Sequence, residues 1–190
     1  MKNRKVFEII LNPFTRIAGW QAFGIGIIFA ILSAIIGTLS GTAFDGVLDM
    51  HFVHNISFRD SFIMQGINIF CIALVMGLTG LIVAKNVRFI DILGTFTLAR
   101  APYFILAFLG FFTTPPDMFE YLRNPELFTF PTSFIIVILI SLPFIIWSIA
   151  LMYNGFKVST NLKGAKLVIS FIIGILIAET LSKILIFLVI

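Results

Sequence analysis

The chain has 190 residues, of which 59% are hydrophobic and 12% charged, and its mean hydropathy is +1.10. That leaves too little polar surface to cover a soluble domain of this size, so the composition excludes a water-soluble globular protein. The formal net charge of +4 is split among short segments beside apolar runs, with no contiguous basic face, and carries no nucleic-acid signal.

At the start of the chain, "VFEIILNPF" places Phe7, Ile10, Leu11 and Phe14 at i, i+3, i+4 and i+7, behind Lys2, Arg4 and Lys5. This predicts a short interfacial helix over about 4–12, ended by Pro13. The apolar run beginning near Ile17 is too long for a signal peptide and lacks a small-residue cleavage site, so the first span is expected to remain attached. That span, about 17–42, repeats Ala22, Gly26, Ala30, Ala34 and Thr38 every four residues, beside a second row of Ser33, Gly37 and Gly41. Small residues at this spacing let helix backbones approach closely, which lipid-phase packing requires. The stripe reads as a packing face, with a ligand groove as the alternative, and its partner is a helix of this chain or of another copy.

The loop "DGVLDMHFVHN" gathers Asp45, Asp49, His51 and His54. Histidines at i and i+3 can share zinc on one helical face, but the plainer expectation is a solvated acidic loop without metal. The second span, about 61–84, carries the single cysteine, Cys71, at its middle, which excludes an internal disulfide and points to core packing. In the third span, about 90–113, the stretch "TFTLARAPYF" sets Arg100 and Pro102 inside lipid-soluble sequence. At 1.5 Å per residue, Arg100 lies roughly 15 Å into the bilayer. The following loop, "TTPPDMFEYLRNPELFTFPTS", is rich in proline and aromatics and suits an ordered interfacial segment.

The fourth span, about 132–155, contains Pro143, and the fifth, about 166–188, contains Glu179 and Lys183. Glu179 falls at a depth of roughly 18 Å, close to that of Arg100, with Lys183 a turn further on. A lone charge at that depth costs about 2.5–3.5 kcal/mol on insertion scales. The expectation is therefore a buried Arg100–Glu179 contact, with Lys183 joining it or snorkelling outward. Pro102 and Pro143 each remove a backbone hydrogen bond and bend a helix, so freed carbonyls are expected near the arginine. Arg100, Glu179, Lys183, Pro102 and Pro143 form a candidate midplane polar cluster, read either as a polar pathway or as a pair that sets helix register. An odd number of spans and no visible internal repeat argue against an inverted-repeat transporter.

Cytoplasmic flanks collect Lys and Arg. Lys2, Arg4, Lys5, Arg16, Lys85, Arg88, Lys157, Lys163 and Lys166 fall on one side, whereas the other side holds Arg59 and Arg123 against Asp45, Asp49, Asp60, Asp117, Glu120 and Glu126. The expected architecture is an all-α bundle of five transmembrane helices, amino terminus cytoplasmic and carboxyl terminus external. No phosphate-binding loop, G-x-S-x-G elbow or H-E-x-x-H motif occurs, so no catalytic residue, cofactor or metal is assigned and an enzyme is not expected.

The stretch "IIWSIALMYNGFKVSTNLKGAKLVI", residues 145–169, is similar to the end of the fourth span and the following turn in the Yip (Ypt/Rab-interacting protein) family. Trp147, Gly155, Lys157, Ala165 and Lys166 stand at the matching places, with Gly155 in the position of a glycine after the helix. "DILGTFTLARAPYFI" resembles the family's helix with a mid-span proline, here Pro102, and the early "NPF" resembles the start of short prokaryotic members. The resemblance implies five spans and a cytoplasmic amino terminus. The eukaryotic branch is associated with Rab-type GTPases through a long cytoplasmic region and an acidic-aromatic motif, and neither appears in the roughly 16 residues before the first span. The expectation is thus a non-enzymatic organiser or adaptor in the cytoplasmic membrane. Its expected partners are the bilayer, anionic lipid at the inner loops, and a second copy or another membrane protein. The alternative is a small transporter, channel or permease subunit using the midplane cluster.

Overall fold

The computed structural model describes residues 10–116, 122–123, 126 and 129–190. Most of the helix expected over 4–12 falls outside them, as do Asp117 and Glu120 of the second loop. Among the described residues, five helices are long and apolar enough to cross a membrane: Gly19–Ser40, Phe58–Val83, Phe89–Phe112, Thr132–Thr160 and Gly164–Val189. The chain is a multi-pass membrane protein with an all-α bundle fold. One end of the bundle carries the amino-terminal segment and the two short basic turns, and is called the basic end below. The other carries the longer loops and is called the loop end.

The first and third spans cross with their backbones in contact. A Cβ built on Gly26 would lie 2.6 Å from the Leu98 nitrogen, and one built on Gly94 would lie 2.3 Å from the Gly19 carbonyl oxygen. Ala22, Gly26, Ala30 and Ala34 are all buried, and at Ala22 and Gly26 the stripe lies against the third span of the same chain. Gly41 then ends the first span at φ 70°, a left-handed conformation that disfavours any side chain, and its carbonyl accepts the Val53 N–H at 2.7 Å. This turn starts a two-stranded antiparallel ribbon, β1 (Thr42–Ala43) with β2 (His51–Phe52), in which Ala43 faces His51. The residues between the strands descend into the bundle.

The second span opens at Ser57, whose hydroxyl accepts the Asp60 N–H at 3.0 Å, and packs along the fifth span, where Gly174 meets the Met76 sulfur. Cys71 is buried in this core and unbonded.

The third span breaks into helices Phe89–Ala99 and Tyr103–Leu109 and a final 3-10 turn, Gly110–Phe112. Pro102 has no N–H for the Leu98 carbonyl, which takes the Ala101 N–H at 2.9 Å instead. Tightened turns follow, Tyr103 N–H to Arg100 at 2.9 Å and Phe104 N–H to Ala101 at 3.1 Å. The Ala99 carbonyl, released from this ladder, accepts the Ser148 hydroxyl of the fourth span at 2.8 Å. The freed carbonyl therefore meets a serine, not the arginine.

The fourth helix runs beyond the apolar stretch to Thr160, where Asn161 caps it at φ 54°. Gly155 accordingly lies inside the helix rather than after it. Its missing side chain leaves room for Thr95 and for the buried ring of Phe14. The Trp147 Nε1–H and the Asn154 amide donate to the Ile10 and Leu11 carbonyls at 3.0 and 2.9 Å, strapping the amino-terminal segment to this span. Pro143 is exposed on the outward face of the helix, away from the buried polar groups. That corrects its expected place in a midplane cluster.

Because Gly26 touches backbone, Gly26→Leu should lower the unfolding temperature in detergent, by an overpacking cost of about 1–3 kcal/mol or more. Gly24→Leu, where an added Cβ meets nothing within 4 Å, is the control. Equal effects at the two positions would remove the backbone crossing as the cause.

Candidate functional site

Between the strands of the ribbon, the sequence Phe44–Asp45–Gly46–Val47–Leu48 enters the bundle from the loop end. Phe44 is 1% exposed and Val47 is 0% exposed, so this is not the solvated acidic loop expected from composition. Non-helical backbone at membrane depth must have every polar group satisfied by protein. For the Phe44 carbonyl and for both backbone groups of Val47 and of Leu48, side chains from the second, third and fifth spans do this.

The second span supplies Asn68, whose amide donates to the Phe44 carbonyl at 2.7 Å. The third supplies Arg100 and Tyr103. Arg100 Nη1 donates to the Val47 carbonyl, its Nη2 approaches Gln65 Oε1 at 3.4 Å, and its guanidinium lies 4.5 Å from the Tyr103 ring centroid. The Tyr103 hydroxyl reaches the Leu48 carbonyl at 2.9 Å and the Val47 carbonyl at 3.2 Å. The fifth span supplies Ser182, which accepts the Val47 N–H at 3.2 Å, and Glu179, which accepts the Leu48 N–H at 2.7 Å. All four backbone polar groups of Val47 and Leu48 are thus held by side chains.

Arg100 and Glu179 form no direct ion pair, which corrects the expected contact. A single peptide group stands between them. The Val47 carbonyl faces the guanidinium and the N–H of the same peptide unit, on Leu48, faces the carboxylate, so the peptide dipole of about 3.5 D points its negative end to the cation and its positive end to the anion. The direct pair fails because the loop occupies the space a direct contact would need. Gly46 shows how tight that space is: a Cβ there would lie 2.3 Å from Glu179 Oε1.

At the rim, Lys183 extends outward to Asp49 at 2.5 Å and lies 3.6 Å from Glu179. His51 Nδ1 is 2.7 Å from Asp45. The donor atoms of Asp45, Asp49 and His51 lie within 4.8 Å of one another, whereas His54 is exposed and outside that group, and no helix carries the two histidines. Asp45 Oδ2 is engaged by His51 and Asp49 by Lys183, while Asp45 Oδ1 is buried without a hydrogen-bond partner among the described residues. Deeper in, Arg100 Nε, Gln65 Nε2 and Asn68 Oδ1 are buried without a hydrogen-bond partner among the described residues.

Sequence reasoning reached Arg100, Glu179 and Lys183 and missed Gln65, Asn68, Tyr103 and Ser182. A signal for them exists. Each contributing span presents two polar residues at i and i+3, Gln65 with Asn68, Arg100 with Tyr103 and Glu179 with Ser182, and this spacing keeps both on one helical face.

Comparison of the chain with protein-family models, with curated proteins and with solved structures gives no match.

Removing one holder of the Val47–Leu48 peptide should strongly destabilise the protein. Arg100→Leu or Glu179→Leu should each cost about 3–5 kcal/mol, as when a buried pair is broken from one side. Thermal unfolding of both singles and the double should give a double loss smaller than the sum, because both act on one peptide group. Additive losses would mean that the loop does not couple them.

Proposed function

We propose that this chain is a non-enzymatic membrane organiser of the Yip type, held in the cytoplasmic membrane with its basic end in the cytoplasm. It works through contacts with lipid, with a second copy or with another membrane protein. The observation carrying this reading is the use of the midplane polar groups. Arg100, Tyr103, Glu179 and Ser182 are committed to the backbone of an inserted loop, and a loop in that place fills the space a pathway would need. The orientation rests on charge: Arg16, Lys85, Arg88, Lys157, Lys163 and Lys166 gather at the basic end, and Asp45, Asp49 and Asp60 at the other.

A second reading, a small transporter or channel subunit, draws on the unpartnered Arg100 Nε, Gln65 Nε2 and Asn68 Oδ1 beside the loop. Withdrawal of residues 44–48 would leave these atoms and Glu179 facing a polar space. Water separates the two readings. Single cysteines at Thr97 and Ala178, in a Cys71→Ala background, should resist a membrane-impermeant thiol reagent in native vesicles and react only after denaturation. Native labelling at both would replace the organiser with the pathway reading. A reporter fused after Ile190 should be active only on the external side, and cytoplasmic activity there would overturn the orientation.

A further inference from the structure

A groove with a volume of about 460 Å³ runs between the second and fifth spans at the basic end. Its walls are Ile82 and Val83 on one helix and Ile169, Ile173 and Ile177 on the other, with Thr79 partway down and Lys166 at the mouth. From Lys166 to Ile177 it extends roughly 16 Å along the helix axis. One leaflet of the hydrocarbon core is about 15 Å thick, so the groove has the length of one lipid tail lying beside the protein.

The mouth is electrostatically one-sided. Lys166 stands in the first turn of the fifth span, where the helix dipole disfavours a cation, and Lys163 stands at its N-cap with no side chain capping the free N–H groups. No acidic residue occupies that turn. The nearby Arg88 is bound by Asp91 at 2.8 and 3.0 Å, whereas Lys85, Lys163 and Lys166 are exposed and form no ion pair among the described residues. Uncapped N–H groups and unpaired lysines above an apolar slot of leaflet depth complement an anionic headgroup on an acyl chain.

We infer that this groove binds one anionic phospholipid, its phosphodiester at Lys166 and the start of the fifth span and one tail along Ile169, Ile173 and Ile177. The site deepens the lipid contact of the organiser reading and rests on it only for the presence of a bilayer.

The test is a titration of purified protein in detergent with phosphatidylglycerol, phosphatidylcholine or free glycerol phosphate, read by bound mass in native mass spectrometry and by unfolding temperature. Phosphatidylglycerol should bind tightest and raise the unfolding temperature. Lys166→Gln should weaken it about fivefold, the size expected for one lysine at a membrane surface. Ile173→Trp, which fills the slot, should remove binding while Lys157→Gln, at the same end but outside the groove, should leave it unchanged. Equal binding of phosphatidylcholine would overturn the inference, as would glycerol phosphate matching the lipid or Lys157→Gln losing as much as Lys166→Gln. Those results would leave a dry midplane untouched, and labelling at Thr97 and Ala178 would leave the lipid result untouched, so the two readings fail separately.

Discussion

The peptide group between Val47 and Leu48 is the constraint around which this bundle is arranged. An inserted loop carries N–H and C=O groups into a region without water, and each one left unpaired there costs several kcal/mol. Helices pair their own backbone, but a loop cannot. The bundle answers with polar side chains from three spans, and five of them become intelligible as partners for particular loop atoms: Asn68 for Phe44, Arg100 and Tyr103 for the Val47 and Leu48 carbonyls, Ser182 and Glu179 for the two N–H groups. The arginine that looked anomalous in an apolar run is there because a carbonyl oxygen is there.

Helix packing gives the loop its place. Gly26 and Gly94 bring the first and third spans into backbone contact, which fixes the third span beside the point where the chain turns at Gly41. Pro102 then loosens the third span one turn after Thr97, and Arg100 sits at that break with its side chain directed to the loop. The fifth span is fixed separately, by packing along the second through Gly174 and Met76. The loop lies between two well-anchored helices that it holds at opposite ends of one peptide unit.

The spans were readable because hydropathy over about 20 residues reports a bulk property, whether a segment prefers lipid. The approach of Arg100 and Glu179 was readable in part, since constant rise per residue put them roughly 15 and 18 Å along their spans, and both reach one peptide group. What stands between the two was not. An inserted loop is decided by tertiary packing, and "FDGVL" differs little in composition from a surface turn; its buried Phe44 and Val47 carry the only hint. Depth arithmetic places residues along the membrane normal and says nothing about azimuth. For that reason Pro143, central in its span, was expected at the polar centre and lies on the outward face. Gly155, which the family resemblance implied would follow the helix, lies inside it, where it admits Phe14 from a segment far away in sequence.

Charge compensation through a peptide has a consequence for how the loop is held. The attraction of Arg100 and Glu179 to the two ends of that dipole grows as the local dielectric falls, and the loop itself keeps the dielectric low by filling the space between the spans. Closure and holding force therefore reinforce one another. Water entering beside Val47 would weaken the holders and solvate the groups they hold, favouring further opening. The rim ion pair of Lys183 with Asp49 is different in kind: it is partly exposed, already screened, and contributes about 0–1 kcal/mol whether or not the interior is dry. The resistance of the inserted loop to leaving thus resides at mid-depth, in groups whose strength depends on the loop being in place.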